Sequence, residues 1–180
     1  MEFEQCVKER RSIRRFTKEP VYHDAFERAV ALASWAPSWK NGQIARYTLV
    51  EDPTLKAEIA QKCVLGFAHN AQIILEAPAL VALTYVTRRS GFERNGSFST
   101  SKKDGWEMFD AGIACQTFCL AAHAVGLGSV IMGIFDEEAV RQALSLPEEQ
   151  KVGALIAIGV PGEAPNPPKR KTAEELISYR

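Results

Sequence analysis

The sequence predicts a fold that mixes helices and strands, and three features carry that expectation. Apolar runs of strand length lie at 78–86 and 152–160. A stretch at 104–125 rich in small residues (Ala111, Gly112, Ala114, Ala121, Ala122) is long enough only for a helix. Helix-start signals fall between the strand-like runs, with Asp52 ahead of Pro53 and Asp136 ahead of Glu137 and Glu138.

Taken in order, the opening residues form an amphipathic helix with Phe3, Cys6 and Val7 on one face, ending near Arg10 to Ser12. Ile13 and Phe16 follow in a short extended stretch before Pro20, and a second helix from Asp24 sets Phe26, Ala29, Val30 and Ala33 on one side and stops at Pro37. Residues 37–43, Pro-Ser-Trp-Lys-Asn-Gly-Gln, form a loop of donors and turn formers, the kind of segment that carries function. Strands are expected at 46–50 and, as a central strand, at 78–86. The polar segment 88–103 is expected to be mobile or to act as a lid. Because the helix at 104–125 is apolar nearly all round, it is expected to be buried on every side, as a central helix or a subunit interface. A strand at 129–132, a short helix after Asp136, a buried strand at 152–160, a proline-rich tether at 161–168 and a Thr172/Glu175 capping box complete the chain.

A length of 180 residues suits one domain, 1–180, able to bury a core without staples. With 22 basic and 22 acidic residues the net charge is zero, which argues against a general binder of nucleic acid or of membrane surfaces. No apolar run approaches a membrane span of ~20 residues and the first residues lack a signal-peptide pattern, so the expected location is cytoplasmic. Cys6, Cys63, Cys115 and Cys119 lack metal-ligand spacing with His23, His69 or His123, and no local motif pairs a nucleophile with a histidine. Gly126-Leu127-Gly128 follows a helix and precedes a strand, the reverse of the dinucleotide-binding order.

Against zero net charge, two basic clusters stand out: Arg10-Arg11-Ser12-Ile13-Arg14-Arg15 and Lys169-Arg170-Lys171. Guanidinium forks and a hydroxyl match the oxygens of a phosphate monoester, so the clusters read as a phosphate site or, alternatively, as the solvated face of a helix end. At a helix C-terminus the dipole disfavours an anion, and side-chain charge has to hold it.

Together these blocks resemble the FMN-dependent nitroreductase family over essentially the full length. Arg10-Arg11-Ser12-x-Arg14-x-Phe16 is similar to the family's phosphate motif, and Ala36-Pro37-Ser38-x-x-Asn41-x-Gln43 to its flavin-ring loop. Ala111-Gly112-Ile113-Ala114 through Gly126-Leu127-Gly128, then Gly133-Ile134-Phe135-Asp136 and the basic tail, follow in the same order. The resemblance implies an α+β fold, an α-β-α sandwich around a mostly antiparallel sheet, forming an intertwined homodimer with two FMN molecules in shared clefts. It implies that Arg10, Arg11 and Ser12 hold the ribityl phosphate with Lys169, Arg170 or Lys171, the choice among these three being open. Arg14 would lie near N1 and tune the flavin, with no separate catalytic residue. Pro37, Ser38, Trp39 and Asn41 would reach the ring from the partner chain, and Met132, Gly133 and Ile134 would meet its face. Asn70, where the family has an Asn-Gln pair and this chain has Asn70-Ala71, is carried as a ring contact, with a structural helix role as the alternative. Gln43-Ile44-Ala45 departs from the family's frequent Gln-Pro-Trp.

The activity implied is ping-pong reduction of a nitroaromatic, quinone or similar small-molecule electrophile, with NAD(P)H as co-substrate and hydride transfer through flavin N5. Trp39, Phe98, Trp106 and Phe109 are candidates for an aromatic wall. Three alternatives stand beside this reading: a flavin-fragmenting or dehalogenating relative, a non-catalytic FMN-binding or storage protein, and a small basic-tailed nucleic-acid module, the last opposed by neutral charge and the lack of interleaved aromatics.

Overall fold

The computed structural model describes residues 1–180. Its centre is a four-stranded sheet in the order β1-β2-β4-β3, made of β1 (Ala45–Val50), β2 (Ala79–Val86), β3 (Gly128–Met132) and β4 (Gln150–Gly159), with every pairing antiparallel. Strand alternation explains why β2 and β4 read as unbroken apolar runs. Leu80, Ala82, Leu155 and Ala157 face one core, while Ala79, Val81, Leu83, Ile156 and Ile158 face the other. Both faces are therefore covered by helices, the α-β-α sandwich that the resemblance implies.

On one face lie α3 (Pro53–Lys62), α4 (Ala68–Glu76) and α6 (Glu137–Ala143), through Ile59, Ile73, Ile74 and Val140. Asp52 caps α3 by accepting from Leu55 N, and Asp136 caps α6 by accepting from Ala139 N, as the sequence signals require. Buried Lys56 donates to the carbonyls of Ala77 and Pro78, satisfying acceptors just past the end of α4. The other face carries α2 (His23–Ala33) and α5 (Gly105–Ala124), with Phe118 at its centre against Phe26 and Tyr47.

Two helices keep part of their apolar surface uncovered within the chain. In α5 only one side is buried: Glu107, Asp110, Ala111, Ala114, Cys115, Phe118 and Cys119 point inward, while Met108 and Phe109 are 50% and 56% exposed. Small residues let this helix sit close to the sheet on one face, and its opposite apolar face has no cover within the chain. In α1 (Phe3–Glu9) only Cys6 is buried, and Phe3 and Val7 are exposed.

Gly126 (φ +89°) ends α5 in the left-handed region, with Leu127 N donating to Ala122 O at 2.8 Å, a Schellman closure. At Gly128 a Cβ would stand 2.8 Å from Ile13, so this glycine allows the N-terminal segment to approach β3. These glycines are thus structural, as their order in the chain implies. No helix is long and apolar enough to cross a membrane.

Candidate functional site: a basic cleft and a braced loop

The chain leaves α1 at Arg10 and runs extended along the sheet margin. Ile13 N donates to Ser129 O at 3.0 Å, Ser12 bridges Ser129, Thr17 N donates to Val160 O at 2.9 Å, and Phe16 bridges Pro161. The same strand end that receives Phe16 releases the C-terminal tail, so the two basic clusters, far apart in sequence, leave from one place. They meet in a cleft of about 230 Å³ lined by Val7, Lys8, Arg10, Arg11, Pro167, Pro168 and Arg170. Lys8 is paired with Glu4, whereas Arg10, Arg11 and Arg170 have no carboxylate partner. Arg11 donates through Nη1 to the carbonyls of Lys8 (2.5 Å) and Arg10 (2.9 Å), which covers the acceptor end of α1, and its Nε is buried without a partner. A buried donor without an acceptor, among unpaired guanidiniums, fits an oxyanion.

Of the three tail residues left open by the sequence, only Arg170 lines the cleft; Lys169 and Lys171 lie outside its lining. Ser12 is held beside the cleft by its bridge to Ser129 rather than in the lining. Arg14 is exposed, with Nη1 donating to Ser12 O at 3.3 Å and its backbone N–H to Glu163 at 2.7 Å.

A second group forms where α4 meets the end of β3. Asn70 is buried and its Nδ2 donates to Ile134 O at 3.4 Å, so two residues singled out separately in the sequence are neighbours. Gly133 is exposed with open space where a Cβ would be, and Ile134 is 46% exposed. Met132 is buried. Strand alternation sends Val130 and Met132 into the core and Ile131 outward, leaving only the Met132 backbone available.

The 37–43 loop lies elsewhere. Pro37, Ser38 and Gln43, with Phe26, Val30, Ile44, Tyr47 and Asp110, line an apolar cavity of about 450 Å³ that shares no residue with the basic cleft. Three non-glycine residues of the loop are left-handed: Lys40 (φ 48°), Asn41 (φ 55°) and Gln43 (φ 46°). Such backbone persists only when its surroundings hold it. Here Asp110, buried on α5, accepts from Trp39 N–H at 2.8 Å and from Ser90 Oγ at 2.5 Å, and Ser38 Oγ accepts from Gln43 N–H at 3.0 Å. The Trp39 and Trp106 rings stand 5.0 Å apart and Trp106 meets Phe109 at 5.3 Å, a continuous aromatic strip from which Phe98 departs to pair with Phe92.

These contacts correct the picture of 88–103 as mobile or a lid. The segment is a brace: Ser90 on Asp110, Glu93 on Lys40 (3.0 Å), Ser99 on Glu93, and Thr100 accepting from Trp106 Nε1 (2.8 Å). The Ser99 hydroxyl, and after it the Lys40 ammonium, hold the Glu93 carboxyl below its ordinary range. Asp110 and Ser90 were missed by sequence reasoning, although an acidic residue in an otherwise apolar helix is the signal that marks Asp110.

A family model for the nitroreductase family matches residues 7–160. The chain belongs to the nitroreductase family. Among curated relatives, an NADH dehydrogenase of Thermus thermophilus is 30% identical, covering 95% of this chain and 92% of that protein. A 5,6-dimethylbenzimidazole synthase of Rhodobacter capsulatus is 28% identical over 87% and 82% of the two chains. Among solved structures, a protein of Desulfovibrio desulfuricans described as a nitroreductase in complex with FMN superposes with a TM-score of 0.76 at 27% identity, covering 98% of this chain and 96% of that one. The nitroreductase family places this protein among the oxidoreductases, and its open four-stranded antiparallel sheet is the fold of that family.

Proposed function

We propose that this nitroreductase-family protein is an FMN-dependent NAD(P)H oxidoreductase that reduces nitroaromatic, quinone or similar electrophilic acceptors, acting as a homodimer of one-domain chains spanning residues 1–180. The observation that carries the reading is the cleft lined by Arg10, Arg11 and Arg170, none with a carboxylate partner, with Arg11 Nε buried and unsatisfied. That donor set fits a terminal monophosphate.

FMN supplies, when bound, the ability to take two electrons from NAD(P)H and deliver them to the acceptor in a separate half-reaction. Arg10, Arg11 and Arg170 hold its phosphate, with Ser12 alongside. Arg14 would place a positive charge toward the pyrimidine side of the ring, where it would favour the reduced, anionic form. Asn70 fixes the Gly133-Ile134 backbone, whose exposed, side-chain-free surface at Gly133 leaves room for a flat ring. Pro37, Ser38, Trp39 and Asn41 come to the ring of a second copy. The separation of the cavity lined by Pro37 and Ser38 from the basic cleft within one chain, and the uncovered apolar face of α5, both support the shared site.

Purified protein is expected to be yellow and to release FMN on denaturation; FAD, or a colourless protein that FMN does not restore, would overturn the reading. Arg10→Glu removes a charge-assisted contact, about 1.5 to 3 kcal/mol, and adds repulsion, so FMN affinity is expected to fall by at least ~10- to 100-fold. Fluorescence titration checks it. The likeness to the synthase supports a second reading, in which the same FMN site serves a different reaction. Steady-state NAD(P)H oxidation with and without a nitroaromatic or quinone separates that case, and a storage role, from the first.

A further inference from the structure

We infer that Glu163 is a positioning residue that assembles the basic cleft, a role that rests on reading the cleft as the FMN phosphate site. Its Oε1 accepts from two successive backbone N–H groups, Arg14 at 2.7 Å and Arg15 at 3.2 Å. Two consecutive N–H groups thus share one carboxylate oxygen, each a charge-assisted hydrogen bond. Gly162 N donates to Arg15 O at 2.9 Å beside it, so the start of the tail and the arginine segment are stitched together at this one place. Glu163 pairs with no guanidinium or ammonium, and its charge is directed at the backbone.

Its position along the chain gives that contact leverage. Beyond Glu163 no hydrogen bond ties the tail to the rest of the molecule; the remaining ones, Ile177 N to Ala173 O and Thr172 N to Glu175, are internal to the tail. Between Glu163 and Arg170 stand Pro165, Pro167 and Pro168. Proline-rich chain is stiff and extended, so the direction set at Glu163 is transmitted to Arg170, which then reaches the cleft of Arg10 and Arg11. The same contact fixes the backbone from which the Arg14 side chain projects.

A carboxylate this close to an anion site has a direct effect of the opposite sign, because its charge repels a phosphate. The sign of the response therefore discriminates. Glu163→Ala removes the acceptor and the charge, whereas Glu163→Gln removes the charge and keeps a carbonyl acceptor. If Glu163 positions the tail, Glu163→Ala weakens FMN binding about 10-fold, the size of one charge-assisted hydrogen bond, and Glu163→Gln restores affinity to within ~3-fold of wild type. In FMN-free protein Glu163→Ala also speeds amide exchange at Arg14, Arg15 and Gly162, the amides this contact protects, and Glu163→Gln does so less. Tighter FMN binding by both variants, or unchanged exchange at Arg14 and Arg15 in Glu163→Ala, would overturn the inference. Wild-type protein that fails to bind FMN would sink the cofactor reading and the inference with it, while the exchange comparison would still tell that failure from a tail that Glu163 does not anchor.

Discussion

At the scale of single residues, Glu107 and Asp110 show two outcomes for a carboxylate placed in a nearly apolar helix. Each is 4% exposed, and neither has a cationic partner. Asp110 places Oδ2 between the Trp39 N–H and the Ser90 hydroxyl, holding loop and brace at one point. Glu107 has a longer bond, from Arg89 N at 3.3 Å, and burial pushes its pKa above the ordinary 4.5, the backbone N–H groups of Arg89 and Arg88 opposing only in part. The folded state then holds this proton more tightly than the unfolded state, so the residue's contribution to stability falls as pH rises above about 4.5 and recovers below it. Glu107→Gln, which keeps the acceptor and loses the charge, is expected to raise the melting temperature at pH 7 and to have little effect near pH 4. Thermal unfolding at the two pH values checks it; an equal shift at both would remove burial of charge as the cause.

At the scale of elements, the 37–43 loop gains its shape from neighbours distant in sequence. Its left-handed residues Lys40, Asn41 and Gln43 carry strain that its own sequence does not relieve, since the glycine in the run, Gly42, is right-handed (φ −67°). Asp110→Ala leaves the Trp39 N–H and the Ser90 hydroxyl without their acceptor, a loss of roughly 1–3 kcal/mol when such a group is buried. The expected outcome is a loosened loop: red-shifted tryptophan emission, faster proteolysis within 37–43, and weaker FMN binding without any change at the arginines. Asp110→Asn, retaining one acceptor oxygen, is expected to show a smaller change. Unaltered emission and proteolysis in Asp110→Ala would mean that the brace at 88–103 suffices without it.

For the whole molecule, a set of large apolar side chains stays uncovered within one chain. Met108 and Phe109 on α5, Trp35 after α2 (86% exposed), and Leu176, Ile177 and Tyr179 in the tail all face outward. Contiguous exposed apolar surface marks association. The proposed dimer is expected to bury an interface of the obligate kind, above ~2,000 Å², with no monomer in sedimentation at micromolar concentration. Phe109→Glu sets a charge on the uncovered face of α5 and is expected to yield monomers that have also lost FMN, because the ring would lose the loop of the second chain. Monomers that retain FMN would contradict the shared site.

Much of this was determined by the sequence alone. Strand and helix order follow from apolar periodicity and from caps such as Asp52-Pro53 and Asp136, which act over a few residues and are therefore legible locally. The arginine cluster was legible for the same reason, since charge of one sign in a neutral chain stands out without any knowledge of the fold. Tertiary structure decided what depends on contacts across long sequence separations. It brought Arg170, and not Lys169 or Lys171, into the lining of the basic cleft. It turned Met132 inward through the register of β3 with β4, and it made a brace of 88–103 through Ser90, Glu93 and Thr100. Polar residues such as Glu163 and Ser90 look the same in a sequence whether they face water or a backbone N–H, and only the packed chain brings their partners within hydrogen-bond distance.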